Sequence, residues 1–138
     1  MNGDPEHRVE HLKLVQGVIS RMAGNSAQVK TWTVSLVTAV FVFAGLSDER
    51  DTLIGVAGFV PVLLFGAMDA RYLHLERCYR SLYEAIVEGK PVKPFDLDYR
   101  PYAGSVGTVG STAWSWSVAG FYLALSILLV VLLVILAY

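Results

Sequence analysis

The chain is 138 residues long, 54% of them hydrophobic, with a formal net charge of −1 and a mean hydropathy of +0.50. An ordinary soluble domain is about half apolar even with glycine counted, so these values exclude one, and the near-balanced charge excludes an indiscriminate polyanion-binding surface. A single cysteine, Cys78, leaves neither a disulfide within the chain nor a multi-cysteine metal site.

The apolar residues come in blocks rather than at regular amphipathic spacing. This predicts an all-α membrane protein, a single membrane domain over 1–138 with three transmembrane helices. In it the N-terminal helix and the helix after the second span extend into the cytoplasm as a stalk.

Residues 5–30 read as a cytoplasmic amphipathic helix. Asp4 is a candidate N-cap, Pro5 fits the first turn, and Glu6 stands near the positive end of the helix dipole. Leu12, Val15, Ile19 and Met22 recur at steps of three and four, a seam that needs a partner. Gly24-Asn25-Ser26 either bends this helix on its way into the membrane or breaks it.

The first span, 31–47, holds 17 uncharged residues, the short end of what crosses a hydrocarbon core of about 30 Å. A polar, periodic segment ahead of it and no small-residue cleavage site after it distinguish it from a signal peptide. Thr31, Ser35 and Thr38, at i, i+4 and i+7, give it one hydroxyl-bearing face. Against water or a symmetry mate this face lines a pore; alternatively each hydroxyl bonds its own i−4 carbonyl. Residues 48–51 form a tight link. The second span, 52–68, also has 17 uncharged residues; Gly55 and Gly58 admit a close neighbour there, and Pro61 predicts a kink.

Residues 69–88 continue as a cytoplasmic helix. Its apolar edge is Leu75, Cys78, Leu82 and Ile86, its tyrosine edge Tyr72, Tyr79 and Tyr83, and Arg71, Arg77 and Arg80 take other parts of the circumference. Glu76 and Arg80 form an i,i+4 pair in the favoured order. Because the link 48–51 is so short, the two cytoplasmic helices emerge side by side and their apolar stripes cover each other. Asp69, where span meets cytoplasm, either lines a cation path or pairs with Lys30 at similar depth.

A cytoplasmic strap, 89–112, follows. Its start, Lys90-Pro91-Val92-Lys93-Pro94, cannot be helical; Phe95, Tyr99 and Tyr102 anchor its middle; and residues 103–112 form a flexible entry to the last span, 113–138. Trp114 and Trp116 mark the inner interface and Tyr138 the outer one. Orientation follows from the bases. Arg8, Lys13, Arg21 and Lys30 precede the first span and six more lie between 71 and 100, whereas 48–51 holds one beside three acids. The positive-inside rule puts the N-terminus and stalk in the cytoplasm and the short link and C-terminus outside.

No Walker motif, dinucleotide fingerprint, nucleophile elbow or catalytic carboxylate pair is present, so the chain does not read as an enzyme and no cofactor is implied. His7 and His11 have zinc-compatible spacing but neither an HExxH pattern nor an evident third ligand, so no metal site is expected. His74 is a pH-sensing candidate or simply a surface histidine. The ligand-binding candidates are Arg21, Arg71, Arg77, Arg80 and Tyr79. In one protomer they are dispersed charges; repeated about a symmetry axis they become rings of guanidinium and phenol that hold phosphates and stack bases. The pore-lining candidates are Thr31, Ser35, Thr38 and Asp69.

The pairing of HLKLVQGVISRMAGNSAQVKTW with DARYLHLERCYRSLY, within about residues 9–86, resembles small bacterial membrane proteins of phage-defence gene clusters. It is similar in particular to the transmembrane effector of the nucleotidyltransferase-linked system called Hailong. The resemblance implies a homotetrameric ion channel with a cytoplasmic cone, in a bacterial inner membrane with the C-terminus in the periplasm. Such a channel is held shut by a single-stranded oligodeoxyadenylate from a partner nucleotidyltransferase and opens on infection to depolarise the membrane. A rival expectation from the residues alone is a non-conducting membrane anchor or scaffold that recruits a soluble partner protein.

Overall fold

A computed structural model describes residues 5–46 and 52–137, all of whose regular elements are helical. The expected cap Asp4, the link 48–51 and the outer aromatic Tyr138 lie outside the described residues. In chain order the helices are α1 (Pro5–Leu46), α2 (Thr52–Ala57), α3 (Phe59–Val87), a 3-10 turn (Arg100–Ser105), α4 (Val109–Ala113), a π turn (Trp116–Gly120) and α5 (Phe121–Ala137). Among the described residues three stretches are long and apolar enough to cross a bilayer: Pro5–Leu46, Leu53–Val87 and Trp116–Ile135.

At 42 residues, α1 is about 63 Å long, twice what a hydrocarbon core requires. Gly24-Asn25-Ser26 does not break it. Ser26 turns inward and finds a hydrogen-bond partner on α3, which removes the local competition that would have ended the helix there.

The second apolar block divides at Gly58, not at Pro61. Proline is tolerated in a first helical turn but clashes with the carbonyl four residues back, so the break falls one turn earlier and Pro61 sits near the start of α3. Gly58 makes the break compact: its N–H bonds the Gly55 carbonyl at 3.1 Å, and α5 approaches so closely that a Cβ on Gly58 would stand 3.2 Å from Leu129 Cδ2.

The helices α1 and α3 run antiparallel and enclose two apolar cores. Val15 and Ile19 meet Leu82 and Ile86 in one; Val37, Val62, Ala70, Val118, Tyr122, Leu125 and Leu129 form the other, where α5 joins them. Of the predicted edge, Leu82 and Ile86 are covered by the Leu12/Ile19 seam, with Leu12 at the margin, whereas Leu75, expected to pair with Leu82 beneath that seam, belongs to neither core.

Past α3 the chain folds back over its own helix ends. Glu88, Gly89 and Lys90 close α3 in a Schellman motif, with Gly89 N–H to the Ile86 carbonyl (3.2 Å) and Lys90 N–H to that of Ala85 (3.0 Å). Gly89 supplies the left-handed residue at φ 76°. Arg8 of α1 caps the same end, donating to the Val87 carbonyl at 2.5 Å. Val92, Tyr99 and Tyr102 then pack along the first core, and the Tyr102 hydroxyl donates to the Pro91 carbonyl at 3.0 Å.

The segment 103–112, expected as a flexible entry, carries the end of the 3-10 turn and most of α4. Thr108 and Ser111 form a reciprocal capping box that starts α4, and Thr112 is fully buried. The third apolar helix accordingly begins after Ser115 rather than at 113. It presents a seam of Val118, Tyr122, Leu125 and Leu129 to the core and leaves Leu123, Ile127, Val130 and Val134 outside.

Candidate functional site

Between the two apolar cores lies one polar junction. Asp69 of α3 is completely buried. From α1, Ser26 Oγ donates to its Oδ1, and Lys30 Nζ stands 2.5 Å from its Oδ2 and 3.1 Å from Ser26 Oγ. Burying a carboxylate is expensive unless it is paired and hydrogen-bonded, and both requirements are met from consecutive turns of one helix. The third apolar helix closes the site: the Lys30 ammonium lies 5.9 Å from the centre of the Phe121 ring, and the buried Tyr122 phenol stands beside Thr33. Thr33 Oγ1 gives its proton to the Val29 carbonyl, and Tyr122 Oη is left without a well-formed hydrogen bond. Asp69 therefore lies inside the protomer, paired with Lys30, and not on the face that carries Thr31, Ser35 and Thr38.

Those three hydroxyl residues are exposed on the outside of the protomer. Thr31 Oγ1 donates to the Ala27 carbonyl at 3.2 Å and Ser35 Oγ to that of Thr31 at 3.0 Å, so both satisfy themselves within α1. They belong to a longer feature that the sequence reading missed. Gly17, Ser20, Gly24, Ala27, Thr31, Ser35, Thr38, Val42 and Gly45 follow steps of three and four and fall within an arc of about 80° on the helix. Every one of them is exposed. A Cβ on Gly17, Gly24 or Gly45 would meet nothing within 4 Å, so no contact in the protomer uses the missing side chains, although glycine in a helix costs about 0.5–1 kcal/mol relative to alanine. The seven-residue spacing of Gly17, Gly24, Thr31 and Thr38 was the available signal.

The ligand-binding candidates do not converge on one point of the protomer. Tyr79 is half-buried, its ring centre 5.1 Å from that of Tyr99. Burial first, and Tyr99 next, push its phenol above the usual tyrosine value, while the nearby Arg21 guanidinium pulls it down. Arg80 is held by Glu76 at 2.6 Å and lines a shallow groove between α1 and α3 with Gln16, Ile19, Tyr83 and Glu84. A second hollow, lined by Val9, Leu12, Lys13, Gln16 and Tyr83, continues it. Tyr83, not Tyr79, is the aromatic residue beside Arg80 in this groove. Arg71 is exposed and Arg77 half-buried.

The histidines have structural surroundings. His11 is buried, its Nε2 2.7 Å from the Asp96 carbonyl, and both His7 and His11 lie against the Phe95 ring. Among the described residues no group of three or more potential metal ligands converges. His74 Nε2 is 3.6 Å from the Sγ of the buried Cys78, whose thiol is pushed up by burial, a setting that suppresses thiolate reactivity. Comparison of the chain with protein families, with characterised proteins and with solved structures finds no match.

Proposed function

We propose that the chain is the protomer of an oligomeric membrane effector. Its copies form an ion channel in the bacterial inner membrane, gated by a cytoplasmic nucleotide or oligonucleotide signal in antiphage defence. The observation that carries this reading is the exposed face of α1 from Gly17 to Gly45, small or hydroxyl-bearing throughout except at Val42. Three apolar helices cannot enclose a water-filled path alone, so conduction requires copies about a common axis. Small residues are what helices present where they approach one another in a bilayer. Thr31, Ser35 and Thr38 then supply the polar lining.

The charged halves of α1 and α3 are the cytoplasmic stalk in this reading, and repetition of the protomer brings Arg21, Arg71, Arg77, Arg80 and Tyr79 into rings suited to phosphates and bases. The resemblance to Hailong-type effectors adds a tetramer, a single-stranded oligodeoxyadenylate as the signal, and abortive infection by membrane depolarisation as the outcome.

A second reading, a non-conducting anchor or scaffold that recruits a soluble protein, is favoured by one observation. Thr31 and Ser35 bond carbonyls of their own helix and so need no water. Purified protein in liposomes separates the two. A channel passes ions, responds to added oligodeoxyadenylate and changes its flux on Thr38→Val. A monomer in detergent and bilayer that conducts nothing overturns the channel, and unchanged flux with lost partner capture selects the scaffold.

A further inference from the structure

Trp114 and Trp116 are the most exposed large apolar side chains among the described residues, at 85% and 91%. Ser115 between them is extended, which sets its two neighbours on one side of the chain, and its own hydroxyl is buried. The Trp116 indole rests on Gly120, where a Cβ would stand 3.6 Å from Trp116 Cδ2, so the turn itself fixes where the ring lies. Just before the pair, α4 gives Val109 and Ala113 to the second core and leaves Thr108, Gly110 and Ser111 outside. Just after it, the outer face of α5 is apolar from Leu123 to Ile135. Polar surface, then indoles, then unbroken apolar surface is the order met on entering a bilayer.

We propose that the lipid headgroup layer on the stalk side lies at Trp114 and Trp116, and that the Lys30–Asp69 pair sits just beneath it, at the edge of the hydrocarbon. The register of α1 against α5 carries the second part. Lys30 Nζ lies 5.9 Å from the centre of the Phe121 ring. Further along, Val40 Cγ1 and Leu129 Cδ2 both border Gly58, at 3.7 and 3.2 Å from where its Cβ would stand. The two helices therefore run parallel, with Ser26 abreast of Trp116 and Lys30 one turn further in.

Lengths decide between this plane and the one drawn by the charges. From Trp116 to Ala137 the chain rises about 32 Å and from Ser26 to Leu46 about 30 Å, and both match a hydrocarbon core of about 30 Å. A plane at Lys30, where the charges of α1 end, leaves only Phe121–Ala137 and 31–46 for the crossing, about 22–24 Å each. An unpaired charge below the headgroups is costly, whereas the lysine paired with the carboxylate lets both helices enter a turn deeper. Asp69 is fully buried. The Lys30 ammonium turns back toward Ser26, 3.1 Å from its Oγ, the direction in which a lysine near the end of a span reaches for the headgroups. The inference rests on the membrane reading of the three helices and is independent of conduction.

Tryptophan quenching of the full chain in phosphatidylcholine vesicles tests it. The chain has three tryptophans, and Trp32, abreast of Tyr122, lies about 9 Å deeper than Trp116. The quenchers are iodide, added on both sides of the membrane, and lipids brominated either high or low on the acyl chain. With the plane at the tryptophans, iodide removes little of the wild-type emission. The pair left in Trp32→Phe is quenched more by the shallow bromolipid, and Trp32 in Trp114→Phe/Trp116→Phe more by the deep one. With the plane at Lys30, Trp114 and Trp116 stand in water. Iodide then removes the emission of two of the three tryptophans of the wild type, a reading that needs no variant to fold, and it overturns the proposal. Trp32 quenched best by the shallow lipid overturns it as well. So does Trp32→Phe emission that neither iodide nor bromolipid reaches, since another copy then covers the rings. Vesicles that pass no ions leave each of these readings intact, so failure of the channel and failure of this plane are told apart.

Discussion

Gly58 and Leu129 meet where the break between α2 and α3 faces the third apolar helix, and a Cβ on the glycine would stand 3.2 Å from Leu129 Cδ2 and 3.1 Å from the Gly55 carbonyl oxygen. Leucine can yield by rotating, but the backbone oxygen cannot. Gly58→Val is therefore expected to force α5 outward and cost about 1–3 kcal/mol, the usual price of overpacking. Gly58→Ala, with one carbon to place, should cost less. Thermal unfolding of the two variants in the same detergent checks the order, and equal midpoints would show that α5 is not seated on this break.

The glycines of α1 make the opposite prediction within the protomer. A methyl group on Gly17 or Gly24 meets nothing within 4 Å and should stabilise the helix by about 0.5–1 kcal/mol. If copies pack along this face, however, the same methyl groups hold two backbones apart, and Gly17→Ala/Gly24→Ala shifts the assembly toward smaller species. Mass determination in detergent, alongside unfolding of the dissociated protomer, reads the two effects separately. An assembly of unchanged mass removes this face from the contact between copies.

What was legible in the sequence was the part written in periodicity. The three apolar blocks and the Leu12/Ile19 seam with its counterpart at Leu82 follow from hydropathy and antiparallel register, which also offered Lys30 as one of two alternatives for Asp69. The break at Gly58 was displaced from Pro61 because proline disrupts the turn before it rather than its own. The order of 103–112 was hidden because glycine-rich composition suggests flexibility, while the capping box depends on two hydroxyls, Thr108 and Ser111, whose reciprocal bonds appear only once the turn has formed. The burial of Tyr122 in the second core was invisible for a different reason. Nothing local to α5 tells which turn of α1 it faces, and the residue reads as one more aromatic in an apolar run.

At the end of α3, Gly89 adopts φ 76° with nothing near a Cβ, so its requirement is conformational rather than steric. Gly89→Ala should cost about 1–2 kcal/mol, the penalty of the left-handed region for a residue with a side chain. Because Arg8 and the Lys90 amide cap neighbouring carbonyls of the same turn, the loss should be shared. Hydrogen exchange is expected to quicken at Gly89 and Lys90 and, through Arg8, in the first turns of α1. Faster exchange confined to residues 88–90 would mean that the two helix ends are not coupled.

Alkaline conditions should weaken the fold through the buried Cys78 and through Tyr79, which packs against the first core. Burial pushes the Cys78 thiol above its ordinary value of 9.0, and burial together with Tyr99 pushes the Tyr79 phenol above 10.0, against the pull of Arg21. In both cases the folded chain holds the proton more tightly than the unfolded one. The unfolded state consequently releases protons first as pH rises, and stability falls wherever it binds fewer. The contribution of each group is fully present below its unfolded value and is lost as pH climbs through its folded one. The unfolding midpoint should thus be level near neutrality and decline from about pH 9 upward, first through the thiol and then through the phenol. Cys78→Ala and Tyr79→Phe should each flatten part of that decline, and the folded wild type should resist thiol alkylation at about pH 8 until denatured. A Cys78→Ala/Tyr79→Phe chain that declines along the wild-type curve would assign the alkaline loss to other groups.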